Sequence, residues 1–492
     1  KWEYEYLDSG IGFFSTLATP REQIDQFDDD TAVAPGENYL LEVDHHLVVP
    51  SGKKVRALIT ANDVIHAWWI PAFGTKKDAI PGYINELWFN VDEGKEGLYR
   101  GQCAESLTLT LTLLAPPRSA PAQSTTPPNL KSLQTEAAQT YANIVHANYQ
   151  DALTQAQNLN QSLVSFTQSP SDDTLTKAKE AWINARLPYL QTEVFRFYAG
   201  PIDDDDGPEG LLNAWPMDEA YIDYVEGNAD AGIINNPADF PDLTASLLAE
   251  LNEKDGEENI SSGFHAIEFL LWGQDLSTDG PGQRPVTDYT TAPNADRRKA
   301  FLLAAADLLI ENLESLVAEW APDQDNYRKT FLAADPAESI KSILTGMSML
   351  SGFELSGERL LVAYETKAQE DEHSCFSDTT HNDVVYNALG IANVWNGAYT
   401  RNDGSVVSGT GIKDIAQSLN PDLANNLDTK INASVQQSKA IPVPFDQAIL
   451  GEDDAPGRQS IIVVVTSLED QAALLVELSK LMGFEVPISE EA

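Results

Sequence analysis

The chain of 492 residues is predicted to be a multidomain protein with an all-β domain followed by an all-α region. Three observations carry this prediction. Apolar residues alternate with a period of two in short stretches of residues 1–115, and beyond residue 128 they recur with a period near 3.6. Residues 116–128 are rich in Pro, Ser and Thr, which is typical of an extended linker. The length also exceeds what a single core usually supports.

Residues 1–115 contain five stretches with the composition of β-strands. Several of them are short, many alternate between apolar and polar residues, and Pro or Gly separates them, so we expect a β-sandwich. The predicted strands are 39–43, 47–49, 55–59, 86–91 and 107–113.

The region after the linker is predicted to consist of helices. One apolar face is formed by Ala137, Tyr141, Ile144, Val145, Tyr149 and Leu153. Further helices are predicted at 178–197, 301–320, 340–364 and 471–482. Residues 262–271 resemble 351–361, with Glu354 in the position of His265, which predicts two helical-bundle halves at 129–290 and 291–492.

Charge and cysteine content exclude several classes of protein. The formal net charge is -45 and the isoelectric point is about 4.2, so nucleic acid and anionic membranes would repel the chain. Two cysteines, Cys103 and Cys375, cannot form a disulfide framework. The sequence has neither an apolar run of membrane-spanning length nor a signal-peptide pattern, so we expect membrane attachment only through a segment that this sequence does not contain.

His265 and Glu268 are the only polar side chains in the apolar run from Phe264 to Trp272. Residues three apart lie on the same face of a helix, so both side chains point the same way. A helix that is apolar nearly all round is buried, and a buried carboxylate is costly unless it is paired or bound to a metal. A simple ion pair and a metal site are therefore both open interpretations.

The helical region resembles the imelysin family of iron-regulated envelope proteins and M75 peptidases. The resemblance covers most of 130–485 and centres on the signature G-x-H-x-x-E, matched by Gly263, His265 and Glu268. Supporting stretches are 186–197, 200–203, 212–216 and 370–381. The resemblance implies an all-α fold of two bundle-like halves, an envelope location and a role around iron or another metal. The signature lacks the second histidine of the H-E-x-x-H zinc-protease helix, so a further ligand must come from elsewhere.

Several residues are candidates for completing this site. Glu193 is the first, with Arg186, Tyr189 and Arg196 as supporting groups, although a salt bridge between Glu193 and Arg196 would explain both residues without a metal. Glu354 and Glu358 form a second carboxylate pair, for which a polar network with Arg359 is the alternative. His373 and His381 lie near Asp378 and Cys375 in a polar stretch that is predicted to be a loop capping helices.

The front of the chain resembles the cupredoxin-like domain of cytochrome c oxidase subunit II. The matching stretches are 2–6, 63–71, 77–82 and 101–105. The resemblance implies copper ligands at His66, Cys103 and the backbone of Glu105, but the family's second cysteine, second histidine and methionine have no counterparts. A binuclear copper centre cannot form with one of its two bridging thiolates, so we expect a degenerate site without copper. Half of a mononuclear site is the alternative.

From these observations we expect a metal-binding protein of the periplasm or outer cell envelope that handles iron, with zinc as the alternative metal. Its partners would be the metal ion and envelope proteins of iron uptake or redox chemistry. Three alternatives stay open: a metallopeptidase in which Glu268 polarises a metal-bound water, a metal-free scaffold in which His265 and Glu268 bind Arg196 or Tyr189, and an electron-transfer fusion protein.

Overall fold

The computed structural model describes residues 130–277 and 280–488, together with shorter stretches between residues 2 and 112. The chain forms two compact units, Lys1–Ser124 and Thr125–Ala492. The first unit contains strands and the second is mainly helical, as the change of period predicts.

The described part of the first unit contains eight strands in antiparallel pairs. The pairs are β1–β2, β3–β6, β4–β5 and β7–β8. The strands are β1 Trp2–Tyr6, β2 Ile11–Ser15, β3 Lys54–Ile59, β4 His66–Ile70, β5 Thr75–Ala79, β6 Asn85–Asn90, β7 Leu98–Gly101 and β8 Leu109–Thr112. Strands were predicted at the positions of β3, β6 and β8. The predicted strand 39–43 lies outside the described residues, and only parts of 47–49 are described.

The middle strands of this unit share a small apolar core. Phe89 on β6 is buried between the exposed Trp88 and Asn90, as alternation requires. Its ring lies 5.9 Å from that of Trp68 and 5.2 Å from that of Phe73, measured between centroids. The described stretches therefore form small packed sheets, and their closure into a β-sandwich stays a prediction.

The second unit contains sixteen helices, one π-helical segment and a short hairpin in its described part. The hairpin strands are β9 Ala398–Thr400 and β10 Val406–Ser408. The helices are α1 Leu130–Gln168, α2 Asp172–Leu190, α3 Glu209–Leu212, α4 Glu219–Ile222, α5 Gly232–Asn235, α6 Ala245–Leu251, α7 Gly263–Trp272, α8 Ala295–Glu319, α9 Tyr327–Ala333, α10 Pro336–Met349, α11 Val362–Thr366, α12 Thr380–Asn396, α13 Ile412–Leu419, α14 Pro421–Ser438, α15 Phe445–Ala448 and α16 Pro456–Leu481.

Helix α2 begins where a cap predicts it and ends earlier than its apolar pattern predicts. The Ser171 side chain accepts from the backbone N–H of Thr174 in a capping box. The prediction of helix through residue 197 is wrong, because the helix ends at Leu190 and a 3-10 turn, Glu193–Phe195, follows. Thr192 donates both its N–H and its hydroxyl to the Tyr189 carbonyl at 2.7 Å. These bonds join residues three apart, so the backbone leaves the α-helix in a narrower 3-10 turn.

The predicted helix 340–364 is present but changes type in its middle. Helix α10 passes into a π-helical segment, Leu350–Leu361, and this segment continues into α11. The wider π turns carry Glu354 and Arg359. π-helical turns are rare and often occur near functional sites.

One apolar cluster extends through the helical unit from Leu130 to Val486. The predicted face of α1 contributes to it, since Tyr141, Val145 and Tyr149 are buried. A division of this region at residue 290 stays a prediction. In the described part of the chain, no helix combines the length and apolarity needed to cross a membrane.

Candidate metal site around His265

Helix α7 carries His265 and Glu268, and every one of its residues is buried. It begins at Gly263, whose φ is +79°, a region that favours glycine. A Cβ at this position would lie 2.6 Å from the carbonyl oxygen of Leu212. Only glycine therefore lets the start of the helix approach this backbone. Trp182 fixes the same end by donating its indole N–H to the Phe264 carbonyl at 2.9 Å.

His265 and Glu268 form a hydrogen-bonded pair with no exposed side-chain surface. Nδ1 of His265 lies 2.9 Å from Oε2 of Glu268, one helical turn away. The other carboxylate oxygen, Oε1, accepts from the backbone N–H of Ser377 at 3.0 Å and from its hydroxyl at 2.6 Å. The loop before α12 thus reaches back over 109 residues to hold Glu268.

Protonation of Glu268 determines how this pair is arranged. Burial raises its pKa to about 8, and the hydrogen bonds from Ser377 and the charge of Arg186 only partly oppose this. The protonated acid donates to Nδ1 and leaves a hydrogen on Nε2 of His265. The ionised form accepts from Nδ1–H and leaves a free lone pair on Nε2. Burial also lowers the pKa of His265 well below its usual range, so the imidazole is neutral.

Nε2 of His265 is buried and has no hydrogen-bond partner among the described residues. The space around the ring is bounded by aromatic side chains and by a second imidazole. The ring centroid lies 4.7 Å from that of His373 and 4.9 Å from that of Trp215. The structure therefore places His373, a predicted candidate ligand, directly beside the signature histidine.

His373 is oriented by a buried carboxylate. Its Nδ1 lies 2.9 Å from Oδ2 of Asp383, which also accepts from the Ser374 hydroxyl at 2.6 Å. Arg186 donates to Oδ1 of Asp383 at 3.1 Å. Burial would raise the pKa of Asp383, but the charge of Arg186 and these hydrogen bonds outweigh it and hold the pKa well below its usual range. Burial and Arg359 lower the pKa of His373 to about 4.

Glu193, the first candidate for an additional ligand, is held by cationic and amide side chains. Its Oε2 accepts from Arg196 and from Arg359, each at 2.7 Å, and its Oε1 accepts from Asn213 at 3.3 Å. Burial raises the pKa of Glu193, but the two guanidinium groups outweigh this and lower it to about 2. The salt-bridge interpretation describes this geometry, and a metal ion would have to displace all three partners.

The carboxylates of the π-helical segment fall into the same ion-pair network. Glu354 accepts from Arg359 at 2.8 Å and from Arg196 at 3.4 Å. Glu358 lies on the same segment and is exposed. The polar-network interpretation of Glu354 is therefore the one that matches the contacts. Tyr189, predicted as a supporting group, packs its ring against Phe264 at 4.8 Å.

The polar stretch around Cys375 is a loop, as predicted, but it is buried. Cys375 is 1% exposed, and burial raises the pKa of its thiol well above the usual range, which is typical of a packed thiol rather than an activated nucleophile. His381 is half-buried, and its Nδ1 has no hydrogen-bond partner among the described residues. Asp383 on α12, rather than Asp378, which is nearer in the sequence, hydrogen-bonds to His373.

Sequence reasoning missed Ser377, Asp383, Asn213 and Trp215 as parts of the site. Asn213, Trp215 and Ser377 lie within stretches that carry the imelysin resemblance and Asp383 follows one of them by two residues, which is the signal that could have identified them. Within the described residues, no three His, Cys, Asp or Glu side chains converge closely enough to hold a metal ion as they stand. Cys103 and Glu105 lie outside the described residues, and of His66 only the backbone, on β4, is described.

Comparison with known proteins confirms both resemblances. Residues 145–475 match the family described as imelysin or peptidase M75. Residues 1–113 match the periplasmic domain of cytochrome c oxidase subunit II.

Three solved structures are similar to parts of the chain. A candidate iron-regulated protein A precursor from Parabacteroides distasonis is 19% identical with a TM-score of 0.56, and covers 73% of this chain and 98% of its own. An imelysin-like protein from Psychrobacter arcticum is 14% identical with a TM-score of 0.52 and the same coverage. The periplasmic domain of cytochrome oxidase subunit II from Bradyrhizobium japonicum is 36% identical with a TM-score of 0.18, covering 23% of this chain and 75% of its own.

Proposed function

Because the chain belongs to the imelysin family, we propose that its helical unit binds a metal ion at His265, Glu268 and His373, and that this metal is iron. The proposal rests on the buried Nε2 of His265, which has no hydrogen-bond partner among the described residues. Leaving a buried polar atom unpaired costs free energy, and a metal ion is a partner that would compensate for it.

The chemistry of the donors supports iron. Two imidazoles and one carboxylate form the ligand set that non-haem iron(II) uses in proteins, whereas a thiolate would favour copper or zinc. Asp383 orients His373 through Nδ1, which is the usual second-shell arrangement for a metal-binding histidine. The three donors do not meet at one point as they stand, so metal binding requires them to rotate towards each other. Zinc is the alternative metal.

An extracytoplasmic location is supported by two similarities. The relative from Parabacteroides distasonis is named as a precursor, and the front of this chain matches a periplasmic domain. We place the protein in the periplasm or on the outer cell envelope, with envelope proteins of iron uptake or redox chemistry as partners. The degenerate copper site at His66, Cys103 and Glu105 has no part in this function.

Titration of the metal-stripped protein tests the proposal. Ferrous, ferric, zinc and copper ions would each be titrated by calorimetry into the wild type, His265→Ala and the control His146→Ala, which removes a half-buried histidine on α1. We expect saturable iron binding that His265→Ala abolishes and His146→Ala retains. Equal iron affinity and stoichiometry in all three proteins would refute the proposal.

A metallopeptidase is the competing function that the family name raises. It needs a cleft beside Glu268 for an extended peptide, but the side chains of His265 and Glu268 have no exposed surface. The burial is compatible with holding a metal ion and opposes peptide access. Metal-dependent peptide cleavage that Glu268→Gln abolishes would favour the peptidase instead.

A further inference from the structure

A second group of buried carboxylates lies near the same loop, and the metal site does not use it. We call Asp275, Glu372, Asp378 and Asp446 the acidic cluster. Asp275 follows α7, Glu372 and Asp378 precede α12, and Asp446 lies on α15. None of the four residues is more than 8% exposed, and Glu372 is fully buried. Four carboxylates from three separate regions of the chain are thus removed from water together.

Five of the eight carboxylate oxygens of the acidic cluster lack donors. Of the others, Oδ1 of Asp275 accepts from the backbone N–H of Ser277 at 3.0 Å, and Oδ2 of Asp446 accepts from the Gln447 amide at 2.9 Å. Neither Oε1 nor Oε2 of Glu372 has a hydrogen-bond partner among the described residues, and the same is true of Oδ2 of Asp275, Oδ1 of Asp378 and Oδ1 of Asp446. The Thr380 hydroxyl lies near Glu372 and favours its ionised form, but it does not form a hydrogen bond with either carboxylate oxygen. Glu372 is therefore a fully buried acid with no donor on either oxygen, which is costly for a protein interior.

The charges that act on these groups are those of other carboxylates. The charges that act on Glu372 are those of Asp446, Asp378 and Asp275. Burial, Asp275 and Asp446 raise the pKa of Asp378 to about 7. Burial and the charge of Asp446 also raise the pKa of Asp275 above its usual range. The four acids thus face one another.

Other buried carboxylates of this chain form salt bridges with arginine side chains. Asp223 is bound by Arg284 at 2.7 Å and Arg298 at 2.6 Å, and Asp383 is bound by Arg186. Arginine is thus the usual partner of a buried acid in this fold. No salt bridge is formed by any member of the acidic cluster within the described residues, so no arginine or lysine balances these carboxylates when they are ionised.

We propose that the acidic cluster binds a hard divalent cation of the calcium class, with Glu372 as the central ligand. Carboxylate oxygens together with loop carbonyls and water form the ligand set of calcium, which accepts six to eight oxygens in flexible geometry. Three carboxylates do not share a common point as they stand, so the ion draws them together or is held by two of them with carbonyl and water oxygens. No imidazole is required, which separates this site from the one at His265.

Calorimetric titration of calcium chloride into protein stripped with EGTA tests this site. The buffer contains about 0.15 M potassium chloride, because a net charge of -45 attracts cations without a site and salt screens that attraction. We expect one saturable site and a calcium-dependent rise in melting temperature. Glu372→Gln should weaken binding about tenfold or more and remove the rise. In EGTA, the same variant should be more stable than the wild type, because it no longer buries an unpaired acid.

Two control variants make the result specific. Asp205→Asn removes one exposed acidic group and should leave calcium binding unchanged. His265→Ala should also retain it, so failure of the iron proposal and failure of the calcium proposal can be told apart. If Glu372→Gln does not fold, Asp446→Asn replaces it with the same expectation. No saturable calcium binding, calcium binding that survives Glu372→Gln or Asp446→Asn, or saturable binding of magnesium but not calcium would overturn the proposal.

Discussion

Replacing Glu268 by glutamine should change how the stability of the helical unit depends on pH. The folded protein keeps this carboxyl protonated up to a pKa of about 8, whereas the ordinary value is 4.5. A group with a raised folded pKa contributes stability that is fully present below the unfolded pKa and is lost as the pH rises through the folded pKa. The window of this loss is therefore pH 4.5 to 8. Glutamine has nearly the same shape and no proton to lose.

The size of the effect follows from the difference between the two pKa values. Each pKa unit corresponds to about 1.4 kcal/mol, so the full window represents on the order of 5 kcal/mol of unfolding free energy. Glu268 is fully buried, so solvent screening does not reduce this figure substantially. We expect the wild type to lose several kcal/mol relative to Glu268→Gln between pH 5 and pH 8, as an order of magnitude.

Urea unfolding of chelator-treated protein, followed by far-UV circular dichroism at several pH values, measures this difference. Glu250→Gln, at an exposed position on α6, is the matched control and should follow the wild-type curve. His265 and His373 also titrate, but they are present in all three proteins, so the difference between the curves isolates Glu268. Parallel curves for the wild type and Glu268→Gln would refute the reasoning that this acid is protonated at neutral pH.

Three further substitutions test the contacts around the site. Gly263→Ala should lower the unfolding free energy by about 2 kcal/mol or more, because φ is positive and the new Cβ meets the Leu212 carbonyl; an unchanged urea midpoint would contradict this. Glu193→Gln should cost about 3 kcal/mol by leaving buried guanidinium groups underpaired, while iron affinity measured by calorimetry stays within about twofold; abolished iron binding would restore Glu193 as a ligand. Ser377→Ala should weaken iron binding by about tenfold, because Glu268 loses a hydroxyl donor, and unchanged affinity would show that this hydroxyl does not support the site.

The pair at the centre of the site was predictable from local pattern, but its surroundings were not. Two polar residues three apart in an apolar helix led directly to the hydrogen bond between His265 and Glu268. Ser377 binds Glu268 across 109 residues of chain and Arg186 binds Asp383 across 197, and no local spacing encodes such contacts. Arg186 was identified as a supporting group from its unusual place in a helix, and it does bind Asp383.

The period of apolar residues correctly predicted helix or strand for most elements. The elements that it did not predict are those whose conformation depends on backbone hydrogen bonds rather than on the burial of apolar side chains. Strand β5 contains Lys76, Lys77 and Asp78, so it shows no apolar alternation, and its pairing with β4 makes it a strand. The early end of α2 depends on the bonds from Thr192 to the Tyr189 carbonyl. The π-helical segment keeps a helical pattern in its sequence, and its extra residue per turn leaves no simple signature.

The loop before α12 places the two proposed sites on one short stretch of backbone. Ser377 donates to Glu268, and its immediate neighbour Asp378 belongs to the acidic cluster. If calcium changes the position of Asp378, the donor to Glu268 moves with it, and the two ions become thermodynamically linked. Linkage is reciprocal, so the factor by which calcium changes iron affinity must equal the factor by which iron changes calcium affinity. A protein built this way would hold its iron more or less tightly according to the concentration of free calcium around it.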